Sequence, residues 1–348
     1  MYIGIDIGGT NIKSGVVDSS GNILLGNSFK TGTSEGPTAN LMQIKKSIFE
    51  MINKFPSIQS IGIGVPGIID KSGVLNVSPN LPEWHGINIH DELKKDFNLT
   101  IAVDNDANAA AIAEMETGAG KDTENFIYIT LGTGIGGALI INKKIYRGCE
   151  GGAGEIGHTI INYDLIRKGI PTFRQGILEE LAGRKAIITY YQLLMTNDNF
   201  SSQQTADGKL DLITNYKLRI TNYKLRITNE DLDSQNDILG IDSLDVEDIA
   251  NSAKSGFQPA VDCLNETGEI IGIGLASAMN LLDIPVAIIG GGISQSGKIL
   301  FDSIRKTIRE RSLPTISERF EIREAYFKNN TGIIGAAMLG ANKMREQS

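Results

Sequence analysis

The sequence predicts an α/β protein made of two related domains. Three observations carry that expectation. Apolar, strand-like runs alternate with amphipathic helical patterns, a strand–glycine turn–strand unit occurs twice, and 348 residues suffice for two domains with a core each. Glycine is abundant, at 40 residues, and sits mostly in short clusters beside apolar runs, where backbone turns sharply or approaches a ligand.

The first unit opens at once. Tyr2 to Ile7 reads as a buried strand, Gly8-Gly9-Thr10 as a turn and Ile12 to Val17 as a second strand. After the turn Asp18 to Asn22, Ile23 to Phe29 is a third strand. Leu41, Ile44, Ile48, Met51 and Ile52 fall at helical spacing. Ile58 to Val65 is a strand ending in Pro66-Gly67, and Leu93 and Phe97 mark a short helix. Thr100 to Val103 is a strand and Ala107 to Glu116 an alanine-rich helix.

The second unit repeats the theme. Asn125 to Leu131 and Ala138 to Tyr146 are strands around the turn Gly132 to Gly137. Helices are expected over Ile177 to Tyr191, Val246 to Ala253, Pro259 to Leu282 and Ser296 to Arg311, with a strand at Val286 to Ile289 closed by Gly290-Gly291-Gly292. The repetition implies two related halves, residues 1–118 and 119–331, with the last helix, 332–348, returning to the first. A polar insertion at about 196–243 holds Ile213 to Arg219 repeated without change as Ile220 to Arg226. It reads as a tandem duplication in a surface loop, because added loop length costs little.

Thirty-three basic against 41 acidic residues leave a net charge of −8, which disfavours nucleic acid and anionic membranes as partners. ATP can still bind through backbone N–H groups, helix N-termini and a metal ion. Cys149 and Cys263 are the only cysteines, too few for a disulfide framework or a Cys-rich metal site. The start lacks a basic n-region and no apolar run nears bilayer length, so no signal peptide and no membrane span are expected, and a cytoplasmic location follows.

Two generic phosphate-loop patterns fail on inspection. Gly292 to Lys298 nearly fits a Walker A loop, but Ile299 stands where Ser or Thr would hold Mg²⁺. Gly132-x-Gly134-x-x-Gly137 fits the dinucleotide fingerprint, yet the β-branched run after it reads as strand where that fingerprint needs a helix. What remains is a glycine turn between two strands, used twice, which can present backbone N–H groups to an anion. Asp6 is placed to hold Mg²⁺ through water, and Thr10 and Lys13 to add a hydroxyl and a cation.

Asp104-Asn105-Asp106 follows an apolar strand and leads into the alanine-rich helix, with Asp106 expected at the N-cap. The helix dipole keeps a carboxylate there ionised, which suits a base that accepts a proton from an alcohol. Glu155 and His158, amid glycines, are suited to hydrogen-bonding adjacent hydroxyls of a sugar. The loops at Pro66-Gly67 and Asn80 to Trp84 read as lining the same site, with Trp84 also readable as core.

Together, Asp6-Ile-Gly-Gly-Thr10, Val65-Pro-Gly67, Asn105-Asp106-Ala-Asn108, Leu131 to Gly137, Glu155-Ile-Gly-His158 and Gly290 to Gly292 resemble the ROK family of sugar kinases and sugar-responsive repressors. The resemblance runs from Tyr2 to about Ala341, apart from the insertion. It implies the actin-like ATPase fold, two RNase-H-like domains with ATP and sugar in an interdomain cleft. It matches Asp106 to the catalytic base and Gly67, Asn105, Asp106, Glu155, His158 and Glu179 to sugar-contacting positions. Asp6, Gly8, Gly9, Thr10 and Lys13 match the first phosphate loop. Gly132, Thr133, Gly134, Gly136 and Gly137 match the second, and Gly290, Gly291 and Gly292 lie beside the adenosine.

The reaction so implied is transfer of the ATP γ-phosphoryl group, with Mg²⁺, to the 6-hydroxyl of a hexose. Glucose is the first substrate reading, with N-acetylmannosamine and fructose as alternatives. A sugar sensor or a regulator lacking its DNA-binding domain is the rival from another class, and the start of the first phosphate loop at Asp6 speaks against a preceding helix-turn-helix. The resemblance also implies a homodimer or homotetramer. One departure stands out: Ile170, Thr172 and Ile177 occupy the positions where family members carry zinc-binding cysteines. No zinc is expected, and apolar packing of Ile170 and Ile177 is expected to hold that loop instead.

Overall fold

The computed structural model describes every residue except 33–35, 71, 79–80, 163–173, 197–243, 329 and 348. The repeat insertion, Asn80, Ile170 and Thr172 therefore lie outside the described residues. The described chain divides into two compact units. One is Met1–Gly157, Leu275–Ser294 and Arg309–Ser348, and the other is His158–Gly274 with Gln295–Ile308.

The first unit holds two five-stranded sheets of the same design. The first sheet uses β1 (Tyr2–Ile7), β2 (Asn11–Val17), β3 (Ile23–Lys30), β4 (Ser60–Val65) and, after the two-stranded hairpin β5 (Ile68–Ile69) and β6 (Leu75–Val77), β7 (Thr100–Asn105). Their order is β3-β2-β1-β4-β7, antiparallel through β1–β2–β3 and parallel through β1–β4–β7. Helices α1 (Gly36–Lys54), α2 (Ile89–Lys94) and α3 (Asp106–Glu116) accompany it.

The second sheet repeats the plan with β8 (Phe126–Leu131), β9 (Ile135–Ile141), β10 (Lys144–Tyr146), β11 (Val286–Gly290) and β12 (Glu321–Glu324), in the order β10-β9-β8-β11-β12. β8–β9–β10 are antiparallel and β8–β11–β12 parallel. The two glycine turns sit in two sheets of the same strand order, and the contact division of the chain runs elsewhere than at 118/119, which lies inside the first unit. β12 is absent from the sequence reading: Glu-Ile-Arg-Glu carries one buried apolar residue, too little alternation to read as a strand.

The remaining helices are α4 (Leu178–Ala182), α5 (Arg184–Thr196), α6 (Val246–Lys254), α7 (Gln258–Leu282), α8 (Lys298–Arg311), α9 (Pro314–Ser317) and α10 (Thr331–Gln347). The single helix expected over Ile177 to Tyr191 is two, because Gly183 adopts extended backbone and ends α4. In the second unit, Gly268 and Gly272 of α7 bring that helix close against the middle of α8. A Cβ on either would fall 2.6 Å from Ser303 or Thr307.

α10 packs on the first sheet, and the reason is steric. Gly62 of β4 and Gly4 of β1 let its backbone lie directly on the strands, since a Cβ on Gly62 would fall 1.7 Å from the carbonyl oxygen of Ala336. α3, the last helix of the first half, reaches the second sheet through Ala107 and shares a buried core with β8, β9 and α10. A separate core behind the first sheet collects Ile3, Ile5, Ile44, Ile48, Leu93 and Trp84. Trp84 is 1% exposed and belongs to that core.

Candidate active site

The two glycine turns occupy equivalent places in the two sheets. The first joins β1 to β2, where the Gly8 N–H donates to the Asn11 carbonyl at 2.9 Å and the Thr31 hydroxyl donates to the Gly8 carbonyl at 2.6 Å. Gly9 lies half-buried in this turn and Thr10 exposed. The second joins β8 to β9, closed by the Gly132 N–H donating to the Gly134 carbonyl at 2.9 Å, with Thr133 exposed at its tip. Gly136 and Gly137 then enter β9, a strand, so the dinucleotide fingerprint is excluded as the β-branched run implied. In the near-Walker run, a 3-10 turn follows β11 and Lys298 pairs with Asp302 on the exposed face of α8.

Packing joins these pieces. Gly136 lies against the first turn of α3, where a Cβ would fall 3.4 Å from that of Ala107. Gly291, with φ of +87°, lies against Leu131, since a Cβ there would fall 2.3 Å from the Leu131 carbonyl oxygen. Gly290 and Gly292 flank it, so the third glycine cluster sits directly beside the second turn. Sequence separation hides this: β8 and β11 are adjacent only through the sheet.

Asp106 is not the N-cap of α3. Asn105 caps the helix, its Oδ1 accepting from Ala107 N at 2.8 Å and Asn108 N at 3.3 Å, while its backbone stays non-helical. Asp106 is the first helical residue, and the correction matters chemically. A capping carboxylate is committed to backbone donors, whereas among the described residues Asp106 engages only Oδ1, with Ala107 N at 2.8 Å. The Asn105 amide also donates to the Gly67 carbonyl at 2.9 Å. Gly67, at φ of +124°, has room for no Cβ, which would fall 2.1 Å from the Val77 carbonyl oxygen.

The electrostatics mark two half-buried carboxyls. Asp6 is pushed up to about 6, first by burial and next by the negative charge of Asp106, with Lys13 opposing. Lys13 is its cross-strand partner between β1 and β2. Asp106 is raised by burial, with the backbone hydrogen bonds at the helix start acting against it. Gly64 stands between β1 and β7 opposite both Asp6 and Asp104, and a Cβ there would fall 3.6 Å from the Cα of Asp106. Asp6 thus feels both the negative charge of Asp106 and the positive charge of Lys13.

Glu155 and His158 bracket a 3-10 turn, Glu155 half-buried and His158 exposed. Within the second unit, Ile160 bridges Ile177 in antiparallel fashion and Leu178 N donates to the Thr159 carbonyl at 2.9 Å, so the strand-like stretch after His158 leads to Glu179. Glu179 accepts from the Arg174 guanidinium at 2.7 Å. At the family's zinc positions, Ile177 is 1% exposed and apolar, the chain has two cysteines, and the described residues contain no group of three His, Cys, Asp or Glu side by side. A zinc ion does not fit here. The Arg174–Glu179 ion pair is an additional tie that the sequence reading did not include.

Sequence reasoning also left Asp104 without a role. It is a carboxylate in an otherwise apolar strand, 4% exposed, and that burial pattern was the available signal. Its partner Arg147 carried no signal at all.

The family model described as the ROK family matches residues 2–343. The glucokinase of Streptomyces coelicolor is 33% identical over 342 residues, covering 97% of each chain. A ROK family glucokinase from Streptomyces griseus, solved in complex with glucose and AMPPNP, is 29% identical with a TM-score of 0.73, covering 98% of this chain and 99% of that one. The xylose repressor of Bacillus subtilis is 26% identical over 97% of this chain and 76% of its own length. Twin sheets, paired glycine turns and a carboxylate at the start of α3 stand on a chain that the family model matches almost end to end, and the protein belongs to the ROK family, with its actin-like ATPase fold.

Proposed function

We propose that this chain, an ATP-dependent sugar kinase, acts on glucose, transferring the γ-phosphoryl group of ATP to the 6-hydroxyl. The observation that carries the reading is the position of Asp106. It is the first residue of a helix whose next residue, Ala107, abuts Gly136 of the second phosphate turn, and its Oδ2 has no donor among the described residues. A hydroxyl held between that oxygen and the phosphate turns lies where its proton can be taken as the phosphorus is attacked.

In this reading the turns at Gly8–Thr10 and Gly132–Gly137 cradle the phosphates, and Gly290–Gly292 borders the adenosine. Asp6 and Lys13 face the phosphate oxygens. Asp6 would hold Mg²⁺ through water, and the ion, when bound, neutralises charge on the β- and γ-phosphates. Asn105 orients the sugar loop at Gly67 while Glu155, His158 and Glu179 accept or donate to ring hydroxyls. Positioning and charge stabilisation dominate phosphoryl transfer, and a general base contributes about 10²–10⁴-fold, or about 3–5 kcal/mol of barrier. We place the enzyme in the cytoplasm as a homodimer or homotetramer; no helix among the described residues is long and apolar enough to cross a membrane.

The test is a coupled ADP-release assay with Mg-ATP against glucose, N-acetylmannosamine, N-acetylglucosamine, mannose, fructose and allose. Turnover confined to glucose upholds the reading. Turnover on N-acetylmannosamine or fructose instead keeps the chemistry and replaces the substrate. The likeness to a xylose repressor supports one rival, a sugar sensor, which sugar binding by calorimetry without any turnover would favour.

A further inference from the structure

The geometry points to Asp104 and Arg147 as a positioning pair that locks the base-bearing end of α3 to the loop carrying Glu155. The inference rests on the sugar-kinase reading of Asp106 and Glu155.

Asp104 is 4% exposed, yet its carboxylate is fully engaged. Oδ1 accepts from the Asn105 N–H at 2.8 Å and from the Asn108 amide at 2.7 Å. Oδ2 accepts from Arg147 Nε and Nη2, both at 2.7 Å. Asn105 and Asn108 lie on either side of Asp106 in sequence, so one buried carboxylate grips the chain both before and after the base. Charge-assisted hydrogen bonds of this kind are short and directional, and losing one partner leaves a buried charge unpaired.

Arg147 is the other half. It stands directly after β10, at the start of the glycine-rich stretch that ends in Glu155. The Ala153 N–H donates back to the Arg147 carbonyl at 3.2 Å, closing this stretch into a loop. The loop is wedged against two other site elements. A Cβ on Gly151 would fall 2.0 Å from the Ile69 carbonyl oxygen, two residues beyond Gly67. A Cβ on Gly154 would fall 2.9 Å from the Cα of Ala138, just after the second phosphate turn. Arg147 is thus a charged tether at the start of that loop. Its guanidinium fork matches a carboxylate in a way an ammonium cannot.

The pair sets the relative placement of proton acceptor and hydroxyl ligand, so its loss falls on the sugar side of the reaction. The experiment compares the parent with Arg147→Ala, Arg147→Lys, Asp104→Asn and the Asp104→Asn/Arg147→Ala double variant. It measures kcat, KM for sugar, KM for ATP, sugar binding by calorimetry and thermal midpoint. Arg147→Ala is expected to lower kcat/KM for the sugar by about 10²-fold, the loss that a misplacement of about 1 Å brings, with KM for ATP within about threefold of the parent. Added guanidinium ion restores part of that loss, Arg147→Lys restores less than the ion does, and the double variant is no worse than the poorer single one.

Losses that multiply in the double variant overturn the proposal, as does a fall in thermal midpoint with sugar kinetics unchanged. A parent that turns over sugar while Arg147→Ala matches it sinks the pairing and leaves the kinase reading standing. A parent that neither binds nor phosphorylates any of the six sugars overturns both.

Discussion

The carboxyl of Asp6 lies so close to Gly332 that a Cβ on that glycine would fall 2.2 Å from Asp6 Oδ2. The second residue of the C-terminal helix therefore packs on Asp6 at the end of β1, 326 positions away in sequence. Gly332→Ala is expected to push the Asp6 carboxyl aside at a cost of about 1–3 kcal/mol, the usual range for overpacking. If Asp6 serves Mg-ATP as proposed, its displacement is expected to raise KM for Mg-ATP about tenfold or more, the kind of loss a misplaced group brings, with the sugar KM little changed. Equal kinetics for Gly332→Ala and the parent would show that the helix start has no part in the site.

Asp106→Asn removes the proposed proton acceptor but keeps the shape of the helix start, where Asn105 holds the cap. Turnover is expected to fall about 10²–10⁴-fold, with sugar affinity by calorimetry preserved. Retention of more than about a tenth of kcat, far above what loss of a base leaves, would count against the assignment.

The raised pKa of Asp6 makes a pH prediction whose sign follows from linkage. The folded protein holds this proton up to about pH 6, whereas the unfolded chain releases it near 3.8. The folded state therefore binds more protons between those values, and the unliganded protein loses stability as pH rises through that window, by up to about 3 kcal/mol for a shift of about two pH units. Asp6→Asn is expected to remove that slope, so its thermal midpoint gains on the parent from pH 4 to pH 6 and stays ahead above it. A difference curve that is flat over the window would show that Asp6 is not desolvated. Below pH 6, Mg-nucleotide binding should release a proton, visible by calorimetry in two buffers of different ionisation enthalpy.

Zinc should be absent. With Ile177 buried and too few donors among the described residues, elemental analysis of the pure protein is expected to find far less than one zinc per chain. EDTA should leave the thermal midpoint within about 1 °C, against the several degrees that loss of even 1 kcal/mol brings in a small domain. Stoichiometric zinc would require another ligand set.

Gly62→Ala tests the docking of the last helix. Its Cβ would fall 1.7 Å from the Ala336 carbonyl oxygen, which no rotamer change can relieve because both atoms are fixed by the backbone. A loss of several kcal/mol is expected, at or beyond the top of the 1–3 kcal/mol typical of overpacking, read as a large fall in thermal midpoint or as insoluble protein. A midpoint within 2 °C of the parent would show that α10 and β4 separate easily.

Local chemistry was written plainly in the chain. Alternating apolar runs, two glycine turns and Asp104-Asn105-Asp106 after a strand point to a duplicated α/β fold and to its reactive carboxylate, because strand period, turn preference and helix capping act over a few residues. Tertiary structure decided what those pieces meet. It gave the N-cap to Asn105 and left Asp106 with an unengaged oxygen, set Gly291 on Leu131 and Gly332 on Asp6, and joined Asp104 to Arg147 across 43 residues. Such contacts depend on sheet order and on how closely two backbones can approach. A residue's neighbours in sequence carry no trace of either, so a lone arginine such as Arg147 becomes informative only once the sheets are in place.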